Sequence, residues 1–257
     1  MDLQTGMVYG PVQSRRLGRS LGVNLAPAGF KTCNFNCSYC QYGWTRFADK
    51  RDWPRAGAII EAVDQALAAT PDVDHITVAG NGEPTMHPAF APIAEGLFHV
   101  RARRAPKAKL ALLSNGSTLN RLDVVYSLAK FDIRSMKLDA GDATTFRLMN
   151  ASSLSLGRLL ANLRSIGQLA VQSMFVQDDE GVITTRGRAR LTRGWTRSRV
   201  SSRSQSTFAR SRVQPRNRRC ARCRSKRSMR LRCASPRSEF RRACLRESDA
   251  GNSTRVR

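Results

Sequence analysis

Cys33, Cys37 and Cys40 lie in the run Lys-Thr-Cys-Asn-Phe-Asn-Cys-Ser-Tyr-Cys, a Cys-x3-Cys-x2-Cys spacing. A structural zinc ion closes its tetrahedron with four ligands, and an ordinary iron–sulfur cubane takes four cysteines. Three thiols on one short loop, with no obvious fourth, suit a [4Fe–4S] cluster that leaves one iron open to a small molecule. Tyr39, just before the last cysteine, is placed to shield such a cluster. Two other readings of the spacing stand beside it: a zinc knuckle completed by a distant His, and plain buried thiols. Thiols that hold a metal must stay reduced, so a cytoplasmic location is expected. An odd total of 7 cysteines in 257 residues argues against a disulfide framework.

The surrounding sequence alternates strand-like and helix-like segments. Apolar runs at residues 20–25, 76–79, 110–113, 135–138 and 169–176 read as strands. Residues 59–67 carry Ile59, Ile60, Val63 and Leu67 at helical spacing. Further helices are expected at 88–100, with Pro88 in the first turn, and at 121–130, 142–149 and 155–166. Regular β–α alternation with continuous apolar strands implies a parallel sheet covered by helices. The first ten residues hold no long apolar run, which argues against a signal peptide or a membrane span.

The polar clusters all follow strands. The cysteine loop follows the first, Gly80-Asn81-Gly82-Glu83-Pro84 the second, Ser114-Asn115-Gly116 the third and Asp139-Ala140-Gly141 the fourth. The carboxyl edge of the strands carries the site in α/β sheets and β/α barrels. Gly80 and Gly82 would let the backbone approach a ligand closely, and Glu83 offers a carboxylate to an ammonium group. Lys137 and Asp139 point to the same rim, where a buried-end salt bridge is the competing reading.

A three-cysteine loop followed one β/α unit later by Asn81-Gly82-Glu83 resembles the radical S-adenosylmethionine (radical SAM) enzymes. The likeness extends to residues 9–24, Lys31-Thr32, Lys137-Leu138-Asp139-Ala140 and Gln172-Ser173-Met174-Phe175-Val176, and covers about residues 8–180. These segments are similar to a group of uncharacterised iron–sulfur oxidoreductases related to the wyosine tRNA-base synthases. The resemblance implies a partial (β/α)6-type TIM barrel, incomplete after about the fifth strand. It implies a [4Fe–4S] cluster on Cys33, Cys37 and Cys40. S-adenosylmethionine would be seated by Tyr39, Asn81, Gly82, Glu83, Asn115 and Asp139, with Glu83 on the methionine ammonium. Reductive cleavage would give a 5′-deoxyadenosyl radical acting on an unknown substrate, with a tRNA base as the relatives' substrate class. An electron donor such as flavodoxin or ferredoxin is implied. Ser14-Arg15-Arg16-Leu17-Gly18 would form a basic loop at the barrel entrance, either for a substrate phosphate or as a solvated turn.

The net charge of +25 does not belong to this body. Residues 1–183 hold 20 Lys and Arg against 16 Asp and Glu, a net of +4, whereas residues 184–257 hold 24 against 3, a net of +21. The expected division is therefore a core at 1–183 and an Arg/Ser-rich tail at 184–257, disordered or out of frame. One account is a disordered arm that contacts nucleic-acid phosphates, in a zinc-binding, nucleic-acid-binding protein. A second is a metal module using Cys220, Cys223, Cys233 and Cys244, though those spacings fit no standard zinc ribbon. The third is translation of a GC-rich gene in a shifted frame, which would leave this form of the enzyme inactive. Residues 192–199 can be written in codons that read Ala-Trp-Leu-Asp-Ala-Val-Ala in a neighbouring frame. Nucleotide sequencing across codons 175–200 tests this: a neighbouring frame should stay open with mixed charge and helical apolar spacing. Stop codons throughout both neighbouring frames, or a tail that resists trypsin, would contradict the shift.

Overall fold

The computed structural model describes residues 2–45 and 53–174. The sequence between them and the tail from residue 175 onward, including the expected disordered or out-of-frame region, lie outside the described residues. The described residues form one six-stranded sheet in the order β1-β2-β3-β4-β5-β6. The strands are β1 (Val8–Ser14), β2 (Gly18–Val23), β3 (His75–Val78), β4 (Lys109–Ser114), β5 (Ile133–Lys137) and β6 (Ala170–Gln172). β1 runs antiparallel to β2, and β2 through β6 are mutually parallel.

The helices are α1 (Ala56–Ala69), α2 (Phe90–Arg104), α3 (Leu122–Ser127), α4 (Ala143–Asn150) and α5 (Leu156–Ser165). Parallel neighbours need crossovers, and these are right-handed almost without exception. Because strand order follows chain order without a reversal, such crossovers place successive helices on one face. That is the winding of a barrel wall, not of a doubly wound sheet. α1 packs on α2 and α2 on α3. Val23, Ile76, Val78, Leu110 and Leu112 of the sheet share one buried apolar cluster with Ile59, Val63, Ile93, Leu97, Leu159 and Leu163 of the helices. Each fully buried side chain of this size contributes roughly 1.5–3 kcal/mol.

The five parallel strands and five helices fall where the apolar spacing places them. Two local expectations are corrected. Pro88 precedes α2, whose first residue is Phe90. The run Ser14-Arg15-Arg16-Leu17-Gly18 closes the β1–β2 hairpin, with the Ser14 hydroxyl accepting from the Arg16 and Leu17 amides. This turn abuts the amino end of β2, so it lies at the sheet edge opposite the cysteine loop and not at its entrance. Among the described residues no helix is long and apolar enough to cross a membrane.

α4 is capped at its amino end by Asp142, whose carboxylate accepts from the Thr145 amide at 2.9 Å and the Thr145 hydroxyl at 2.8 Å. Asp142→Ala is expected to lower stability by about 1 kcal/mol, read as a lower urea midpoint at unchanged slope. An unchanged midpoint would show that packing alone fixes α4.

Candidate functional site

The cysteine loop leaves the carboxyl end of β2 and is fastened at its base before the first thiol. Thr32 makes an isolated parallel bridge to Gly82: the Thr32 amide donates to the Asn81 carbonyl at 2.7 Å, and the Glu83 amide donates to the Thr32 carbonyl at 2.9 Å. Gly82 sits at φ 146°, and a Cβ there would lie 1.8 Å from the Thr32 carbonyl oxygen. Gly80, at φ 140°, would place a Cβ 2.5 Å from Asn24 Oδ1, the acceptor for the Asn81 amide. Both glycines therefore allow the turn's backbone to pass close against Thr32 and Asn24.

Glu83 is 2% exposed. Its Oε1 accepts from the Thr85 amide at 3.1 Å, the Thr85 hydroxyl at 2.5 Å and the Ser114 hydroxyl at 2.8 Å, and its Oε2 accepts from the Asn115 amide at 2.6 Å. Burial pushes its pKa up, against the pull of those donors. The carboxylate joins the turns after β3 and β4. Asn81 likewise turns its side chain away, donating to Gln4 and Pro27 carbonyls and accepting from the Gln4 amide. Asn115 faces the cysteines: its Nδ2 donates to Asn34 Oδ1 at 2.9 Å and reaches Cys33 Sγ at 3.7 Å.

The far side of the loop meets a second buried carboxylate. Asp139 Oδ2 accepts from the Tyr39 hydroxyl and from Asn150 Nδ2 at 2.7 Å, while Oδ1 accepts from the Met174 amide at 2.9 Å. Lys137 Nζ lies 3.6 Å from Asp139, donates to the Tyr39 hydroxyl at 2.7 Å and sits over the Tyr39 ring. The salt-bridge reading of Lys137 and Asp139 is therefore present in the structure, with Tyr39 inside it. Burial, and then the Asp139 charge, push the Tyr39 phenol upward.

Asn150 and Lys31 have roles that sequence reasoning missed. Asn150 closes α4, and its Nδ2 also donates to Cys37 Sγ at 3.3 Å. Ala151 adopts a left-handed φ of 39°, beyond the last turn of α4. The Met149 and Asn150 carbonyls there accept from the Ser38 and Asn36 amides, each at 2.8 Å. An Asn at a helix end reads as a cap, so nothing in the sequence marked it. Phe35, buried between the first two cysteines, packs edge-on against Phe146 of α4 with ring centroids 5.7 Å apart. Lys31 is 6% exposed and donates from Nζ to the Gly43 carbonyl at 2.6 Å and to Asn36 Oδ1 at 3.4 Å. Its only signal was adjacency to Cys33.

The three thiols are free and half-buried. Burial, followed by the Glu83 charge, pushes Cys33 up to about 12, with the Phe35 amide and Lys31 pulling the other way. Burial also raises Cys37, opposed by Lys137 and by the bond from Asn150. Ligation of a metal displaces these protons. Among the described residues no three His, Cys, Asp or Glu side chains converge on a single metal ion. The donor set is three thiols spaced along one loop, with amide donors already directed at two of the sulfurs. That set fits a cluster with one iron left without a protein ligand.

A family model described as Radical SAM superfamily matches residues 29–175. The UPF0026 protein of Helicobacter pylori strain J99 is 33% identical over 166 residues, which cover 63% of this chain and 52% of that protein. The UPF0026 protein of Methanocaldococcus jannaschii is 29% identical over 194 residues, covering 70% of this chain and 58% of that protein. The chain spans about half the length of these curated relatives. Among solved structures, native anSMEcpe with bound AdoMet aligns with a TM-score of 0.47 at 18% identity over 60% of this chain and 43% of that one. TYW1 with a lysine-pyruvate adduct bound aligns with a TM-score of 0.43 at 15% identity over 61% and 55%.

The geometry of Glu83 generates a test. In Glu83→Gln an amide NH2 replaces one oxygen and must face either the Asn115 amide or the Thr85 and Ser114 donors. A buried donor left without an acceptor costs about 1–3 kcal/mol. The variant is expected to unfold at lower denaturant and to show faster hydrogen exchange at the Glu83 and Asn115 amides. Unchanged stability together with weaker S-adenosylmethionine binding would return Glu83 to direct ligand contact.

Proposed function

The chain belongs to the radical SAM superfamily, whose enzymes bind a [4Fe–4S] cluster and S-adenosylmethionine, and we propose on that premise that Cys33, Cys37 and Cys40 are the cluster ligands. The observation that carries this reading is the three-thiol loop itself, held at a strand-end rim by the Thr32–Gly82 backbone bridge on one side and the buried Asp139 carboxylate on the other. When bound, the reduced cluster supplies the electron that splits the sulfonium and yields a 5′-deoxyadenosyl radical for hydrogen abstraction.

The chain's own residues hold and enclose this chemistry. Gly82 and Asn115 flank Cys33 and seat the amino-acid portion of S-adenosylmethionine. Asn81 and Glu83 fix that turn through their bonds to Gln4, Pro27, Ser114 and Asn115. Tyr39, whose phenol lies beside Cys37, would shield the cluster, its side chain held by Asp139 and Lys137. Asn150 orients Cys37. Electrons come from a small donor protein such as flavodoxin or ferredoxin. The substrate class that the resemblance implies is a tRNA base, and the compartment that keeps the thiols reduced is the cytoplasm.

Anaerobic reconstitution tests the ligand assignment. Wild-type protein is expected to hold about four irons with matching sulfide, and Cys37→Ala to lose most of both. A Cys37→Ala protein that keeps the full complement removes Cys37 from the ligand set. Wild-type protein that takes up zinc and no sulfide supports the nucleic-acid-binding reading.

A further inference from the structure

Among the described residues, Lys31 is the one buried cation of the cysteine loop, and no anion pairs with it. Among the described residues its ammonium makes no ion pair: both partners, the Gly43 carbonyl and Asn36 Oδ1, are neutral. Lys137, across the same loop, is paired with Asp139. An ammonium taken out of water needs an opposite charge to offset its lost hydration. Yet the fold keeps Lys31 inside, two residues before Cys33.

Lys31 is also wired to the loop that it occupies. Asn36 Oδ1, one of its acceptors, also accepts from the Thr45 amide at 2.7 Å, and the Thr45 hydroxyl donates to the Cys33 carbonyl at 3.0 Å. The ammonium therefore sits within the circuit that closes residues 33–45 on themselves. It lies two residues before the first thiol, inside the same closed loop.

We propose that Lys31 is the built-in counter-ion of the iron–sulfur cluster, balancing the negative charge that the thiolates bring and favouring its reduced state. This rests on the cluster assignment above. A cluster on three thiolates carries net negative charge, and reduction adds one more electron. A fixed cation beside it stabilises the reduced form more than the oxidised form, and so raises the reduction potential. Lys31 touches neither substrate nor the reacting atoms in this account. It is a positioning and charge-balancing residue.

The test uses full-length wild type, Lys31→Met and Lys31→Arg, reconstituted anaerobically, with iron and sulfide counted on every sample. Redox titration followed by electron paramagnetic resonance gives the midpoint potential, and thermal unfolding is measured on the cluster-free proteins. Lys31→Met, which removes the charge and keeps the length, is expected to shift the midpoint to lower potential. Lys31→Arg should return it towards wild type. Cluster-free Lys31→Met should unfold no earlier than wild type, because an unpaired buried charge has been removed. A Met variant that loads poorly while the Arg variant loads fully also supports the proposal. An unchanged midpoint in a fully loaded Met variant overturns it. So does a cluster-free Met variant that is destabilised or fails to fold, which would make Lys31 a staple of the loop regardless of the cluster. Loss of loading in both variants, or weaker S-adenosylmethionine binding at an unchanged midpoint, overturns it too. Wild-type protein without iron and sulfide would instead remove the cluster assignment on which the proposal stands.

Discussion

The site depends on how one irregular loop is fastened to the sheet. Irregular backbone is costly to order, at about 1–2 kcal/mol per residue, and the cysteine loop has no periodic hydrogen bonding of its own. It is held instead by ties to its neighbours, among them the Asn36 and Ser38 amides on the end of α4. Thr32 pairs with the Asn81–Glu83 turn through two backbone bonds. Phe35 anchors in the core against Phe146. Tyr39 and Asn150 share Asp139 on the far side. A missing tie would leave thiols of the right type without a fixed spacing.

The two buried carboxylates have parallel tasks. Glu83 joins the turns after β3 and β4, and Asp139 joins the cysteine loop to α4 and to the segment after β6. Each is surrounded by donors, and each would be expensive to bury otherwise. The sheet makes this economical: parallel strands in chain order deliver every turn to the same edge, so short side chains span neighbouring turns. The chemistry is then assembled from four separate segments without any long connection.

The strands were legible because buried parallel strands are continuous apolar runs, as in Ile76-Thr77-Val78 and Leu110-Ala111-Leu112. β1 was not legible as a strand: Val-Tyr-Gly-Pro-Val-Gln-Ser contains Gly and Pro and is only partly buried, and its pairing with β2 is a tertiary fact. The cysteine spacing showed which thiols act together, because that information is local. Side-chain direction is not local. Glu83 and Asn81 have the residue types expected at a ligand, yet both spend their polar atoms on the protein. Asn150 and Lys31 touch the loop from positions that residue type alone does not distinguish from a helix cap and a surface lysine.

The central claim is that three thiols leave one iron open for S-adenosylmethionine. The most direct measurement is the electron paramagnetic resonance spectrum of the reduced, reconstituted protein before and after S-adenosylmethionine is added. Direct coordination predicts a change in the principal g values, with broadening when the methionine amino nitrogen or carboxylate oxygen carries a magnetic isotope. A spectrum that is the same with and without saturating S-adenosylmethionine would contradict the account.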